Sequence, residues 1–108
     1  MTTTSDNNDR IKQARALFEK FPGNDLSRYN LAQACFDAAD YVQAAEHLRA
    51  LCAKKNDWMV VHILLGKCLL QTGQRDEAMK LFEHAHQLAI TQHHDGPREE
   101  LEELLKTL

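Results

Sequence analysis

One stretch of this chain occurs twice at a fixed spacing. Leu31-Ala32-Gln33-Ala34-Cys35, followed by Ala44-Ala45-Glu46-His47-Leu48, returns as Leu65-Gly66-Lys67-Cys68-Leu69 followed by Ala78-Met79-Lys80-Leu81-Phe82. Leu31 to Leu65, Ala32 to Gly66, Ala44 to Ala78, Leu48 to Phe82 and Leu51 to Ala85 are each 34 residues apart. A constant period of that length marks an array of helical hairpins. One such hairpin cannot bury its apolar face alone, so the fold must be a stack in which each unit covers the next. Frequent alanine and an aromatic content of only 6% suit close helix packing.

Apolar periodicity and punctuation place about six helices. Residues 1–9 are small and polar, and are expected to form a disordered leader. Ile11, Ala14, Leu17, Phe18 and Phe21 then recur at helical spacing after Asn8 or Asp9 as a cap, and Pro22-Gly23 stops the run. Asn24 or Asp25 is placed to cap a helix over 25–38. Asp40 with Gln43 has the form of a capping box for a helix over 41–54. Asn56-Asp57 breaks the chain and recaps it for a helix over 58–72, which Gly73 ends. The residue matching Gly73 in the first copy is Ala39, a less comfortable turn. A helix over 75–91 follows. After the break His93-His94-Asp95-Gly96, Pro97 opens a last helix with Glu99 and Glu100 at its positive end and an apolar stripe of Leu101, Leu104, Leu105 and Leu108.

The repeat resembles the tetratricopeptide repeat family. Its pattern of Trp-x2-Leu-Gly-x2-Tyr, then Ala-x3-Phe, then Pro appears here as His62-x2-Leu65-Gly66-x2-Leu69 and Ala78-x3-Phe82. The first copy gives Arg28-x2-Leu31-Ala32-x2-Cys35 and Ala44-x3-Leu48. The small and Leu/Phe positions match and the Trp and Tyr positions do not. Asn56 and Ile90 replace the closing proline, although Pro22 falls at the closing position of an earlier, incomplete repeat. The resemblance covers about residues 10–92. It implies an all-α fold of antiparallel helix-turn-helix repeats, an α-solenoid superhelix. The single domain 10–108 would comprise a leading helix (10–22), repeat one (25–58), repeat two (59–92) and a capping helix (97–108).

The first helix of each pair is apolar on two sides. Leu31 and Cys35, or Leu65 and Leu69, are spaced to meet the second helix. A separate stripe carries Leu26, Tyr29, Gln33 and Phe36, matched by Val60, Ile63, Lys67 and Leu70. In the family the first helices line a concave surface that holds extended or helical peptides. Carried over by position, that groove would be Tyr29, Asn30, Gln33, Phe36 and Asp37 with Ile63, Leu64, Lys67, Leu70 and Gln71. The competing reading is that Phe36, Ile63 and Leu64 pack between repeats or under the last helix. Some members clamp a terminal carboxylate with Lys and Asn. Tyr29 and Gln33 stand on this rim instead, with Lys67 as the cation, which favours a more apolar peptide.

Chemistry is not legible. His84, His86, His93 and His94 lack the one-turn spacing of a helical metal pair and are expected to be solvated, so no metal or cofactor is assigned. Cys35, Cys52 and Cys68 are odd in number, lack a CxxC and fall in helical patterns, as expected of buried free thiols in a reducing cytoplasm. Trp58 is expected at the joint between repeats. No catalytic triad, phosphate loop or carboxylate pair is recognisable. A net charge of −3 disfavours nucleic acid as a partner, and no apolar run suggests a secretory signal or membrane span. Met1 and the polar leader favour a complete small protein. The expectation is thus a cytoplasmic, non-enzymatic module that binds another protein or peptide as scaffold, adaptor or small co-chaperone. The alternative is a self-associating structural module, a homodimer through exposed apolar helix faces such as Ile63, Leu70 or the final leucine stripe.

Overall fold

The computed structural model describes the backbone of residues 4–108 and the side chains from residue 7 onward. It contains six helices: α1 (Thr4–Lys20), α2 (Asp25–Asp37), α3 (Tyr41–Lys54), α4 (Met59–Gln71), α5 (Arg75–Thr91) and α6 (Asp95–Thr107). Each packs chiefly on its neighbours in sequence, which makes the molecule a short one-dimensional stack of antiparallel helices. No described helix is long and apolar enough to cross a membrane.

Local chemistry explains most of the boundaries. Asn24 Oδ1 accepts the Ser27 N–H at 3.0 Å and starts α2. Asp40 Oδ1 accepts the Gln43 N–H at 3.2 Å and starts α3, while Gln43 Nε2 donates back to the Asp40 carboxylate at 3.0 Å. The backbone N–H of Asp40, the usual target of the returning side chain, instead donates to the Cys35 carbonyl at 2.9 Å. Three helices end in the same way, on one left-handed residue that lets the next N–H reach back over the last turn. Those residues are Ala39 (φ 62°), Gly73 (φ 79°) and His93 (φ 59°). The reaching bonds are Asp40 to Cys35, Gln74 to Leu69 and His94 to Ala89, at 2.8–2.9 Å. Gly73 adopts this conformation freely, whereas Ala39 and His93 each carry a cost of about 1–2 kcal/mol.

Several expectations are corrected. The leader is helical from Thr4, so Asn8 and Asp9 lie inside α1 and cap nothing; Met1 to Thr3 lie outside the described residues. Extending a helix already docked through Ile11, Ala14 and Phe18 adds a hydrogen bond per residue without a new nucleus. Neither Asn56 nor Asp57 caps α4. Its N-cap is Trp58, without a side-chain hydrogen bond. Pro97 is the third residue of α6, and its missing N–H still falls among the donors that have no intrahelical acceptor.

The core is a single cluster along the stack, with Leu31, Leu48, Leu65, Leu69, Phe82 and Leu101 all at most 2% exposed. Within α4/α5, the absence of a side chain at Gly66 makes room for the Phe82 ring. Phe82 is fully buried. That close approach fixes how α4 and α5 cross, and so how α4 presents its opposite face beside α2 and α6.

Candidate partner-binding groove

A cleft of about 320 Å³ opens between α2, α4 and α6. Tyr29, Gln33 and Phe36 supply one wall from successive turns of α2. Met59, Val60, Ile63, Leu64 and Lys67 supply the other from α4, and Pro97 and Glu100 of α6 close it. Leu64 is only 7% exposed, so it is core and cleft floor at once. Val60 is 42% exposed. It stands 34 residues after Leu26, which is also exposed on the equivalent turn of α2.

The polar side chains of the cleft are largely engaged with one another. The Tyr29 hydroxyl donates to Gln33 Oε1 at 3.4 Å, a long contact, and Gln33 Nε2 donates to Asp37 Oδ1 at 3.1 Å. Asp37 is in turn paired with Arg10 at 3.0 Å. Burial, with the Asp37 charge adding to it, raises the Tyr29 phenol above its ordinary range. Tyr29 also stacks on Trp58 with centroids 5.4 Å apart, and the Lys55 ammonium lies 5.7 Å from the Trp58 ring. Trp58 therefore sits at the joint between α2 and α4 and braces one end of the cleft. At the other end Lys67 and Glu100 approach to only 3.7 Å, both well exposed. Such a pair contributes at most about 1 kcal/mol.

Of the ten residues expected in a groove, Tyr29, Gln33, Phe36, Ile63, Leu64 and Lys67 line this cleft. Asn30 does not. It lines a second cleft, of about 330 Å³, between α1 and α2, which also contains Gln33, Arg10 and the exposed Leu17. Asp37 lies beyond the first cleft in its pair with Arg10. Leu70 packs half-buried against the core, and Gln71 is exposed at the end of α4. Met59, Val60, Pro97 and Glu100 were outside the expected set. Val60 was signalled by its place on the apolar stripe. Pro97 and Glu100 carried no signal, because the repeat frame does not extend to α6.

A family model described as anaphase-promoting complex, cyclosome, subunit 3 matches residues 4–85. The chain belongs to that family. Its repeats are of the tetratricopeptide type, a fold that serves protein–protein interaction. The solution structure of protein BPP2914 from Bordetella parapertussis is similar in fold, with a TM-score of 0.77 at 24% identity over 90% of this chain and 84% of that one. The crystal structure of MamA is similar with a TM-score of 0.68 at 20% identity, covering 94% of this chain and 66% of that one. No curated protein sequence matches the chain.

Away from the cleft, this tetratricopeptide-type chain uses His62, His84 and His86 structurally. His84 and His86 were expected to be solvated, and both are partly buried and bonded. His84 Nε2 meets the Asn56 carbonyl at 2.8 Å, and His86 Nε2 meets Glu102 at 2.9 Å across the α5/α6 joint. His62 is 2% exposed, with Nδ1 2.9 Å from the Trp58 carbonyl and its ring 4.7 Å from that of His84. With Gln92 Nε2 donating to the Asp57 carbonyl at 3.0 Å, three consecutive carbonyls of the α3–α4 turn are held by side chains. His93 and His94 are exposed. Among the described residues no three His, Cys, Asp or Glu side chains are grouped to hold a metal ion. Cys35 and Cys68 are fully buried and Cys52 half-buried. Burial pushes the Cys52 and Cys68 thiols up to about 11 and raises Cys35 as well. None of them is a ready thiolate at neutral pH.

The buried histidines make stability pH-dependent. Burial holds His62 below the ordinary histidine value of 6.5, and His84 adds to the effect. His47 is likewise lowered, by burial first and then by Arg28 and Arg15. Below 6.5 the unfolded chain binds protons that the native state refuses. The stabilisation is therefore complete above that value and is lost as pH falls through the window beneath it. The urea midpoint should be lower at about pH 5.5 than at about pH 7.5, and His62→Leu should narrow the difference. A midpoint that rises on acidification would contradict this assignment.

Proposed function

We propose that the chain binds a segment of another protein in the cleft between α2, α4 and α6, and acts through that contact as a scaffold, adaptor or small co-chaperone. The observation that carries this reading is the apolar lining itself. Phe36, Met59, Val60, Ile63 and Leu64 form a recessed surface whose polar neighbours are engaged with one another. Recessed apolar surface with a few fixed polar groups is what a binding site requires. Three thiols kept protonated by burial suit a reducing compartment, and we place this activity in the cytoplasm.

The test is affinity capture with three baits: the native chain, Val60→Glu in the cleft, and Val42→Glu on α3. Both valines are exposed, 42% and 66%, so neither substitution should unfold the protein. A protein retained by the native chain and by Val42→Glu, but lost by Val60→Glu, is the expected result. A loss of about tenfold or more in affinity is the scale of a central contact. Equal retention by all three baits would put the interaction on another face. A mass that rises with concentration for the native chain and not for Val60→Glu would make the partner a second copy.

A further inference from the structure

We infer that the cleft takes its partner as an amphipathic helix and not as an extended peptide, a conclusion that rests on the cleft being the binding surface. Backbone satisfaction carries it. An extended segment must find partners for its own N–H and C=O groups wherever it is desolvated, at a cost of about 1–3 kcal/mol for each one left unpaired. This cleft has few to offer. The Tyr29 hydroxyl is directed to Gln33, and Gln33 donates to Asp37. Lys67 and Glu100 stand at one end, and the remaining lining side chains are apolar. A helix brings its backbone already paired and needs only apolar surface.

The dimensions agree. The lining residues of α2 run from Tyr29 to Phe36 and those of α4 from Met59 to Lys67, a trough two turns or about 10–12 Å long. Its walls repeat once per turn, at Tyr29, Gln33 and Phe36, and at Met59, Ile63 and Lys67. A helix presents apolar residues at i, i+3 or i+4, and i+7 with the same ~5.4 Å pitch. A strand spaces same-face residues by about 6.6 Å and falls out of step within two of them. Charge sets the flank. Lys67 and Glu100 hold each other at only 3.7 Å while well exposed. Each can therefore take a better partner, an acidic residue for Lys67 and a basic one for Glu100, beside the apolar stripe of the incoming helix.

Selection from a displayed library of random peptides, about 16 residues or four turns long, against the full chain tests this. Enriched sequences should place apolar residues at i, i+3 or i+4, and i+7, and lack proline between them. As synthetic peptides they should gain helical circular dichroism on binding. They should lose about tenfold or more in affinity for Val60→Glu but not for Val42→Glu, and a central proline should abolish binding. Enriched peptides with period-two alternation, or with internal proline, that still depend on Val60 would overturn the helical partner and leave the cleft as the site. Helical peptides indifferent to Val60→Glu, or no enrichment at all, would overturn the cleft reading and this inference with it.

Discussion

Gly66→Ala is expected to destabilise the protein by about 1–3 kcal/mol, although the substitution usually helps a helix. In an exposed helix, alanine in place of glycine gains about 0.8–1 kcal/mol. Here the added Cβ would lie 2.5 Å from Cε1 of Phe82, 2.8 Å from Cζ and 3.0 Å from Cδ1. Those atoms belong to a ring with no exposed surface, so the ring must displace other core side chains to yield. The clash outweighs the propensity. The first repeat shows the compensated form, with Ala32 and Leu48 at the positions of Gly66 and Phe82, 34 residues earlier and both fully buried. Gly66→Ala/Phe82→Leu should therefore recover much of what Gly66→Ala loses, with a coupling of about 1–3 kcal/mol between the two sites. Thermal melting of the two single variants and the double variant measures it. Each kcal/mol corresponds to a shift of about 4–8 °C in a domain of this size. A single variant that melts above the native chain would mean that the α4/α5 joint slides apart without cost.

The pairing of small and large residues explains why the fold was legible and the cleft only partly so. Buried positions repeat because each hairpin solves the same packing problem, and the period of 34 carries that information in the chain itself. Asn24, Asp40 and Gly73 were legible as caps because their chemistry is local. The helical start at Thr4 was not, because its support comes from α1 residues docked further along. The cleft depends on angles between helices, which no period records. Asn30 and Gln33 are three residues apart on α2, yet the α2 ridge turns Asn30 toward α1 while Gln33 reaches both clefts. Leu70 belongs to the same stripe as Ile63 and Lys67, but it packs on the core outside the cleft. His84 looked like a surface residue because its partner is a backbone carbonyl, and carbonyls have no signature in a sequence. Pro97 and Glu100 were missed for a related reason. Leu101, the buried anchor of their helix, stands 36 residues after Leu65, so a frame of 34 does not find it.

That anchor gives the second large effect. Leu101→Ala is expected to cost about 2–5 kcal/mol, the range for truncating a well-packed buried leucine. Leu101 is 1% exposed and is the one fully buried side chain of α6; Leu104, Leu105 and Leu108 are only half-buried beside it. The helix packs mainly on α5, and the His86–Glu102 hydrogen bond at 2.9 Å spans that joint. It is too exposed to hold the helix without Leu101. Deleting residues 95–108 should go further. It would uncover the α5 surface around Ala85, Leu88 and Ala89, and unfold or aggregate the chain, because two hairpins without a cover are too few to bury a continuous core. Melting by circular dichroism together with light scattering would show both effects, and unchanged melting of the truncated chain would mean that α6 is an appendage. The cleft adds a second readout. Pro97 and Glu100 form its third wall, so Leu101→Ala should weaken partner binding without changing any lining residue. Glu100→Gln, which removes only the exposed pair with Lys67, should leave the stability within about 0.5 kcal/mol of native and the melting temperature nearly unchanged. If both variants weaken binding but only Leu101→Ala lowers the melting temperature, α6 serves the stack through its buried face and the cleft through its exposed one.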